Sequence, residues 1–251
     1  MDNELNLLLD KTKDFNLSLD NKQLDLFKRY QHFLEEYNRH TNIVSDAGKE
    51  VVIIKHFTDS LSLGLLMNKM LPRPNFTIID VGAGGGFPSV PILIAYPESK
   101  LCAVDSVGKK TKFLELLSNE LGLESRMEIV NSRAEDLYRS KDSSAVLDHK
   151  PYAEGFDLVV SRAVASLNVL SEYCLPFARV GGYFVAYKGK NADHEIMESK
   201  KALSVLGGKI IDIASYKLED AERKLILIEK IKHTPEKYPR KQGVPEKKPI
   251  I

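Results

Sequence analysis

Three glycines at alternate positions, Gly82, Gly84 and Gly86, constrain the fold of this chain more than any other feature. They follow residues 76–81, a short run rich in β-branched side chains, and they precede an apolar segment with helical spacing. Glycine adopts backbone conformations that other residues avoid, and its backbone N–H groups can approach a ligand closely. The pattern therefore predicts a strand, a ligand-binding turn and a helix, although a purely structural tight turn has the same appearance.

The second part of the chain alternates between β-rich runs and helical patterns. Five strands are predicted over residues 76–81, 101–105, 127–130, 156–161 and 182–187. An amphipathic helix is predicted over residues 109–121. Alternation at this spacing is typical of βαβ units and of a mostly parallel sheet. Two last β-rich runs, at 210–216 and 224–231, predict an antiparallel pair at one end of that sheet.

The chain is predicted to have two parts with different patterns. Apolar side chains recur at helical spacing in the first part, and its last helix is predicted over residues 49–70. Two closely spaced prolines in residues 71–74 cannot continue a helix and indicate a linker. We therefore expect a helical N-terminal extension at residues 1–74 and an α/β domain with a basic C-terminal tail at residues 75–251.

The composition limits the classes of function. With 36 Lys and Arg against 35 Asp and Glu, the net charge is +1, so whole-molecule charge gives no indication of nucleic-acid binding. The two cysteines, Cys102 and Cys174, lie in apolar surroundings outside any metal-ligand spacing, which predicts buried, reduced thiols and no metal site. No apolar run approaches the ~20 residues of a membrane span, and the first residues are acidic and polar. We expect a cytoplasmic monomer without membrane association.

The spacing around the glycines separates two kinds of nucleotide site. A dinucleotide fingerprint, GxGxxG, would need a small residue where this chain has Phe87. Asp80 instead stands two positions before the first glycine, and this arrangement resembles motif I of class I methyltransferases, whose turn, here with Gly82, Gly84 and Gly86, holds the amino-acid part of S-adenosylmethionine. A carboxylate at Asp80 suits the ammonium group of that ligand and would be misplaced beside a phosphate. Another nucleotide ligand remains an alternative.

Two further strand ends carry residues that suit the same cofactor. Asp105 ends the second strand, where a carboxylate can accept hydrogen bonds from ribose hydroxyls, although it could also cap the next helix. After the third strand, Ala134 and Glu135 stand where class I methyltransferases place the neighbours of the adenine amino group. Ser132 and Glu135 could equally form a capping box at a helix start.

The end of the fourth strand, around Arg162, lacks the motifs of two well-defined methyl acceptors. The Asn/Asp-Pro-Pro-Tyr/Phe motif of exocyclic-amine methyltransferases is absent, and so is the Pro-Cys pair with which C5-pyrimidine enzymes supply a nucleophile. We therefore expect the acceptor to be neither an adenine amine nor a cytosine carbon.

The ordered set of motifs resembles one family, the small-subunit ribosomal RNA guanine-N7 methyltransferases (RsmG, also called GidB). The matching segments are residues 42–44, 55–60, 80–91, 104–106, 109–110, 132–135, 161–163, 188–189 and 238–241. The resemblance runs from about residue 20 to the C-terminus, and the ordered set is specific although the glycine turn alone is generic. Ser89, where many members have Gly, and a long segment at 140–155 are departures. We expect residues 140–155 to form an exposed, passive loop.

This resemblance implies a class I, Rossmann-like methyltransferase that transfers a methyl group from S-adenosylmethionine to N7 of a guanine in 16S ribosomal RNA, with that RNA or the small ribosomal subunit as partner. It implies cofactor contacts at Gly82, Phe87, Ala134, Glu135 and Arg162. Because guanine N7 already carries a free lone pair, no general base is needed, and no residue is assigned a catalytic role. Two alternatives are a methyltransferase acting on a small molecule or a protein, and a binding module without enzymatic activity.

Candidate contacts to the acceptor come first from His56 and Asp59, and from two lysines. His56 and Asp59 are three residues apart, on one face of a predicted helix, where they could line the acceptor pocket or make an ordinary interhelical hydrogen bond. Lys188 and Lys190 follow the fifth strand and could contact phosphates.

The C-terminal tail, residues 232–251, is the other candidate. It holds six basic residues against two acidic ones, Arg240 and Lys241 among them. Such a tail could follow an RNA backbone or could simply be solvated.

Overall fold

The N-terminal part is helical in the computed structural model, which describes residues 3–70 and 74–251. The predicted linker therefore lies, except for Pro74, outside the described residues. Helix α1 spans Asn3–Lys13 and helix α2 spans Asn21–Asn38. Asp20 caps α2, because its carboxylate accepts a hydrogen bond from the Gln23 amide at 2.8 Å while the Gln23 side chain accepts one from the Asp20 amide.

The next helical segment changes its winding along its length, and we call residues 49–65 the mixed helix. It is α-helical over Lys49–Val51, π-helical over Val52–Thr58, α-helical over Asp59–Leu61 and 3-10 over Ser62–Leu65. It thus ends before Met70, the end predicted from the sequence. A π-helical turn places side chains off the regular 3.6-residue spacing and is frequent at functional sites.

The α/β part is built on a mostly parallel sheet, as predicted. Among the described residues its strands are β1 (Thr77–Val81), β2 (Lys100–Asp105), β3 (Met127–Asn131), β4 (Phe156–Arg162), β5 (Ala178–Lys188), β6 (Gly208–Leu218) and β7 (Ala221–Lys230). Their order in the sheet is 3-2-1-4-5-7-6. Strands β1 to β5 are parallel, and β7 pairs antiparallel with both β5 and β6. The predicted antiparallel pair at one end of the sheet is confirmed.

Helices cover both faces of this sheet. In chain order they are α3 (Ser89–Ala95), α4 (Gly108–Leu121), α5 (Ala134–Arg139), α6 (Leu167–Cys174), α7 (Ala192–Leu206) and the short α8 (Val244–Lys247). Neighbouring side chains of β1 point to opposite faces: Ile78 belongs to the core that also contains Phe27 and Phe57, whereas Ile79 belongs to the core under α6 and α7. The N-terminal helices therefore share one apolar core with the sheet.

The segment at 140–155 is not the exposed loop that its polar sequence suggests. It forms a small hairpin with strands Ser143–Ser144 and Lys150–Pro151. Glu128 of β3 accepts hydrogen bonds from the Ser144 hydroxyl at 2.6 Å and from the Tyr152 hydroxyl at 2.7 Å. Ser144 and Tyr152 are buried. The hairpin packs against β2 and β3, and its buried Val146, Leu147 and Tyr152 belong to the core on that face of the sheet.

Both cysteines are buried, free thiols, as predicted. Burial raises the pKa of Cys102 and of Cys174 well above its usual value, so both stay protonated and unreactive at neutral pH. No helix in residues 3–70 or 74–251 is long and apolar enough to cross a membrane.

Candidate functional site

The glycine turn joins β1 to α3, and at two of its positions both the backbone conformation and the available space require glycine. Gly82 has φ +85°, and a Cβ there would lie 2.5 Å from Cγ2 of Val164. Gly86 has φ +91°, and a Cβ there would lie 2.6 Å from the Tyr30 hydroxyl. That hydroxyl donates a hydrogen bond to the carbonyl of Gly85. Helix α2 therefore supports the turn on one side, and the opposite side of the turn borders a cavity.

Asp105, at the end of β2, fixes the turn to the next loop. Its Oδ2 accepts a hydrogen bond from the Gly84 amide at 2.9 Å, and its Oδ1 accepts one from the Val107 amide at 2.9 Å. Helix α4 begins at Gly108, with Val107 at its N-cap position, so the suggested helix cap by Asp105 does not form. The carboxylate is 6% exposed and borders a cavity, where its remaining lone pairs can accept further hydrogen bonds.

A cavity of about 400 Å³ opens above the turn, at the carboxyl ends of β1, β2 and β4. Seven of the nine predicted cofactor residues line it, namely Gly82, Gly84, Phe87, Asp105, Ala134, Glu135 and Arg162. We call it the first cavity. The crevice at the carboxyl ends of the strands, where the strand order reverses, is where open α/β sheets bind ligands.

Asp80 and Gly86 are the two predicted residues that do not line this cavity. Asp80 is completely buried beneath the turn, and neither carboxylate oxygen has a well-formed hydrogen bond within the described part of the chain. Burial raises the pKa of Asp80 to about 7, although the facing Ser89 hydroxyl and the Arg162 charge lower it. A cation placed near the turn would therefore lower the pKa of Asp80 and favour its ionised form.

Glu135 contributes a second buried acidic group on the opposite wall. It lies in the first turn of α5, is 3% exposed, and its Oε1 has no hydrogen-bond partner among the described residues. The capping box suggested by the sequence is absent here, because Arg133 is the N-cap residue and the Ser132 hydroxyl donates to the Arg133 carbonyl instead. An acceptor without a partner at a cavity wall favours a ligand that brings an N–H group.

Phe87 lies between aromatic neighbours at the other end of the first cavity. Its ring stacks on Tyr30 at 5.3 Å and on His56 at 4.6 Å, and the Arg162 guanidinium lies 5.2 Å from its centroid. Burial and the Arg162 charge lower the pKa of His56 to about 4, so this imidazole is neutral at physiological pH. Phe87 is therefore both a core aromatic and part of the cavity wall.

Arg162 is fixed by partners from other elements. Its Nη1 donates to Oδ2 of Asp59 at 2.7 Å, and its Nη2 lies 3.1 Å from Nδ1 of His56. The Tyr216 hydroxyl, from β6, donates to Oδ1 of Asp59 at 2.6 Å. His56 and Asp59 do share one face of the mixed helix, as predicted, and both use it to hold Arg162. The next residue, Ala163, has φ +58°, a strained conformation for a non-glycine residue.

A second cavity, of about 500 Å³, lies on the other side of Arg162. The two cavities share three lining residues, His56, Arg162 and Ala163, so they adjoin at these residues, which we call the partition. The other lining residues come from the mixed helix, β5, β6, β7, α7 and the segments that follow β4 and β5, namely Lys55, Asp59, Ala165, Tyr187, Lys188, Gly189, Glu195, Tyr216 and Arg223. Its wall carries several cationic side chains but only two carboxylates, so it suits an anionic or electron-rich ligand.

The predicted phosphate contacts are placed very differently. Lys188 lines the second cavity but is 8% exposed and forms an ion pair with Glu195 at 2.7 Å. Lys190 and Lys241 are exposed. The Arg240 side chain is 26% exposed, and its guanidinium forms three hydrogen bonds with the buried Glu172, at 2.9, 3.1 and 2.6 Å, so it holds the tail to α6.

Several site residues could not be found from motifs. Tyr30 and Tyr216 come from distant parts of the chain, and Tyr173 and Glu246 line the first cavity from α6 and from the tail. Each of them is a single aromatic or acidic residue within an ordinary helix or strand pattern, and it belongs to no motif whose spacing would indicate a functional role. No group of three His, Cys, Asp or Glu residues in the described ranges is arranged to hold a metal ion.

Comparison with known proteins gives one family. The family model described as "rRNA small subunit methyltransferase G", GidB, matches residues 23–226. The chain is 47% identical over 238 residues to the Ribosomal RNA small subunit methyltransferase G of Lactobacillus johnsonii, covering 94% of this chain and 95% of that one. It is 43% identical to the protein of the same name from Acetivibrio thermocellus, covering 97% and 96%.

Solved structures show the same fold at lower identity. The structure of geranyl diphosphate C-methyltransferase from Streptomyces coelicolor A3(2) covers 84% of this chain and 98% of its own, with a TM-score of 0.54 and 14% identity. TrmN from Thermus thermophilus covers 71% and 53%, with a TM-score of 0.51 and 13% identity. At this level of identity, the likeness concerns the arrangement of the sheet and helices alone.

Proposed function

The chain belongs to the rRNA small subunit methyltransferase G family, and from this membership we propose that it transfers a methyl group from S-adenosylmethionine to N7 of a guanine in 16S ribosomal RNA. The observation that supports placing this reaction at a particular site is the pair of cavities that meet at Arg162. A transferase needs its donor and its acceptor in contact but separately held, and two cavities that adjoin at shared residues suit that geometry.

The first cavity fits the cofactor on features of this chain. Two buried carboxylates, Asp80 beneath the glycine turn and Glu135 at the cavity wall, have oxygens without well-formed hydrogen bonds among the described residues. We propose that Asp80 faces the ammonium group, that Asp105 accepts from the ribose hydroxyls, and that Glu135 accepts from the adenine amino group. Gly82 and Gly84 leave backbone room for the amino-acid part.

The second cavity would hold the guanine, with the base turned out of its stack. Sequence-specific recognition of RNA usually targets bases that are unstacked and inserted into a pocket. Arg223 lines this cavity and carries positive charge that suits the phosphates next to such a base, whereas Glu195 offsets the charge of Lys188. Lys190 and Lys241 remain candidates for contacts with the flanking RNA, since both are exposed.

The proposed mechanism rests on orientation. Bound S-adenosylmethionine would supply an electrophilic methyl group, which the guanine N7 lone pair can attack without first losing a proton. Asp59 offsets the charge of Arg162 at the partition, and His56, with a pKa of about 4, is neutral. The partition therefore adds little net positive charge near a base that becomes cationic. The fixed Arg162 positions the reacting groups, and the half-closed cavities limit the access of water.

The proposal is tested by methyl transfer to small ribosomal particles that lack this modification, from S-adenosylmethionine with a radiolabelled methyl group. Nucleoside analysis should give labelled 7-methylguanosine. Two arginine variants make a matched pair, because Arg162 and Arg179 each pair with an aspartate at 2.7 Å, Arg162 at the cavities and Arg179 at the amino end of the sheet. Arg162→Gln should lower the rate at least tenfold, and Arg179→Gln should leave it within about twofold.

Two results would contradict the proposal. Label in a nucleoside other than 7-methylguanosine, or in no nucleoside at all, would reject the acceptor. Equal rates in the two variants would reject the placement of the reaction at the Arg162 partition.

A further inference from the structure

The C-terminal tail, residues 232–251, is attached to the body of the protein beside the first cavity. Four hydrogen bonds join Arg240 to Glu172, whose side chain is 1% exposed. Arg139 of α5 donates to the carbonyls of Pro239 and Arg240. A buried ion pair with this number of hydrogen bonds fixes position strongly, because breaking it would leave a buried charge without a partner. The tail is therefore an ordered part of the site.

This attachment brings Glu246 to the cavity. Glu246 lies in α8 and, together with Tyr173 of α6, lines the first cavity. The Tyr173 hydroxyl lies 3.3 Å from Oε1 of Glu246, to which it can donate a hydrogen bond. Burial and, after it, the charges of Glu135 and Glu246 raise the pKa of Tyr173, and all three residues line the first cavity. Two carboxylates and a phenol thus converge at one end of the first cavity.

This end is opposite to the partition. Arg162 and His56 close the cavity on the side of the second cavity, and their partners come from the mixed helix and β6. Glu135 is buried at the other end with one oxygen lacking a partner in the described ranges, and it belongs to α5. A donor whose reactive methyl group points to the partition would place its base at the Glu135 end.

We propose that Glu246 and Tyr173 are binding residues for the adenine of the cofactor, so that the C-terminal tail completes the cofactor site. The inference rests on the proposed function, since it requires S-adenosylmethionine in the first cavity. The 6-amino group of adenine donates two hydrogen bonds, and carboxylates are acceptors only. With Glu135 and Glu246 both available as acceptors, the site would favour a 6-amino purine over a 6-oxo purine, whose oxygen would face carboxylates.

The test compares two ligands and two matched variants of the full chain. Calorimetry measures the affinity for S-adenosylhomocysteine and for S-inosylhomocysteine, in which a 6-oxo group replaces the amino group. Glu246→Gln should weaken S-adenosylhomocysteine binding about three- to tenfold. A buried hydrogen bond to a charged group contributes about a factor of ten or more to affinity, and the effect is smaller here because Glu246 is exposed. The same substitution should weaken binding of the inosine compound less, since an amide can donate to the 6-oxo group.

Glu236→Gln is the control, because Glu236 is an exposed carboxylate of the same tail that does not line the cavity. It should leave both affinities unchanged. If Glu246→Gln binds both ligands like the parent chain, the role of the tail is wrong while the proposed function stands. If the parent chain fails to bind S-adenosylhomocysteine, the proposed function itself fails. Both substitutions are at exposed positions, so loss of folding does not obscure the result.

Discussion

Asp80 is the residue whose chemistry should change most when the cofactor binds. It is completely buried, and its pKa of about 7 in the free protein means that about half of the molecules carry a proton there at pH 7. A ligand ammonium group near the turn would stabilise the ionised form. We therefore expect binding to release about 0.9 proton at pH 6, about 0.5 at pH 7 and about 0.1 at pH 8.

The assay is calorimetry of S-adenosylhomocysteine binding in two buffers with different enthalpies of ionisation, at each of the three pH values. The difference in observed enthalpy gives the number of protons released. Asp80→Asn should abolish the pH-dependent release and weaken binding at least tenfold at pH 8, because the ammonium group loses its charged partner. Asp10→Asn, which changes an exposed carboxylate of α1, should behave like the parent chain. Release that is constant between pH 6 and 8, or that persists in Asp80→Asn, would refute the reasoning.

The same carboxyl group predicts a pH dependence of stability. The pKa of Asp80 rises from 3.8 to about 7 on folding. The folded protein therefore holds this proton more tightly than the unfolded chain, and the contribution of Asp80 to stability falls as pH rises from about 4 to about 7. At 1.36 kcal/mol for each tenfold change in the acid constant, ionisation costs about 4 kcal/mol at pH 8. Asp80→Asn should raise the free energy of unfolding by up to about this amount at pH 8, and much less at pH 4.

Two further changes separate recognition from stability. Tyr216→Phe removes the hydroxyl that donates a hydrogen bond to Asp59. We expect KM for the ribosomal particle to rise about three- to tenfold, while the affinity for S-adenosylhomocysteine measured by calorimetry stays constant. A change in cofactor affinity alone would contradict this role. Tyr152→Phe removes one hydrogen bond between the hairpin and Glu128 of β3. We expect chemical denaturation to show a free energy of unfolding lower by about 1 kcal/mol, with an unchanged rate of methyl transfer. A slower reaction would show that the hairpin contributes to the site.

The sequence predicts those parts of the site that lie at strand ends. Gly82, Asp105 and Glu135 each follow a β-rich run by a fixed small distance. In a parallel sheet the carboxyl ends of neighbouring strands meet at one edge, so local patterns alone bring these residues together. The mostly parallel sheet and the antiparallel pair at one end follow from the alternation of strand and helix patterns, whereas the order of the strands comes from the structure alone.

Other parts of the site depend on packing between distant segments, which local patterns do not report. Tyr216 reaches Asp59 across 157 positions of the chain, and Arg240 finds Glu172 across 68. The sequence shows a charged tail, but not that a buried carboxylate neutralises its arginine. The segment at 140–155 was misjudged for the same reason, because its polar residues are satisfied by one glutamate on a neighbouring strand.

The helices before residue 70 differ from the α/β part in sequence pattern, but they share one apolar core with the sheet and contribute residues to the site. Tyr30 holds the glycine turn from α2, and Phe87 of the turn stacks between Tyr30 and His56 of the mixed helix. Asp59 of the same helix fixes Arg162. Because the proposed reaction relies on orientation and not on a general base, the elements that fix these side chains matter as much as the cofactor turn. We therefore propose that the N-terminal helices form one wall of the active site and that the α/β part alone, without them, would bind and orient neither substrate correctly.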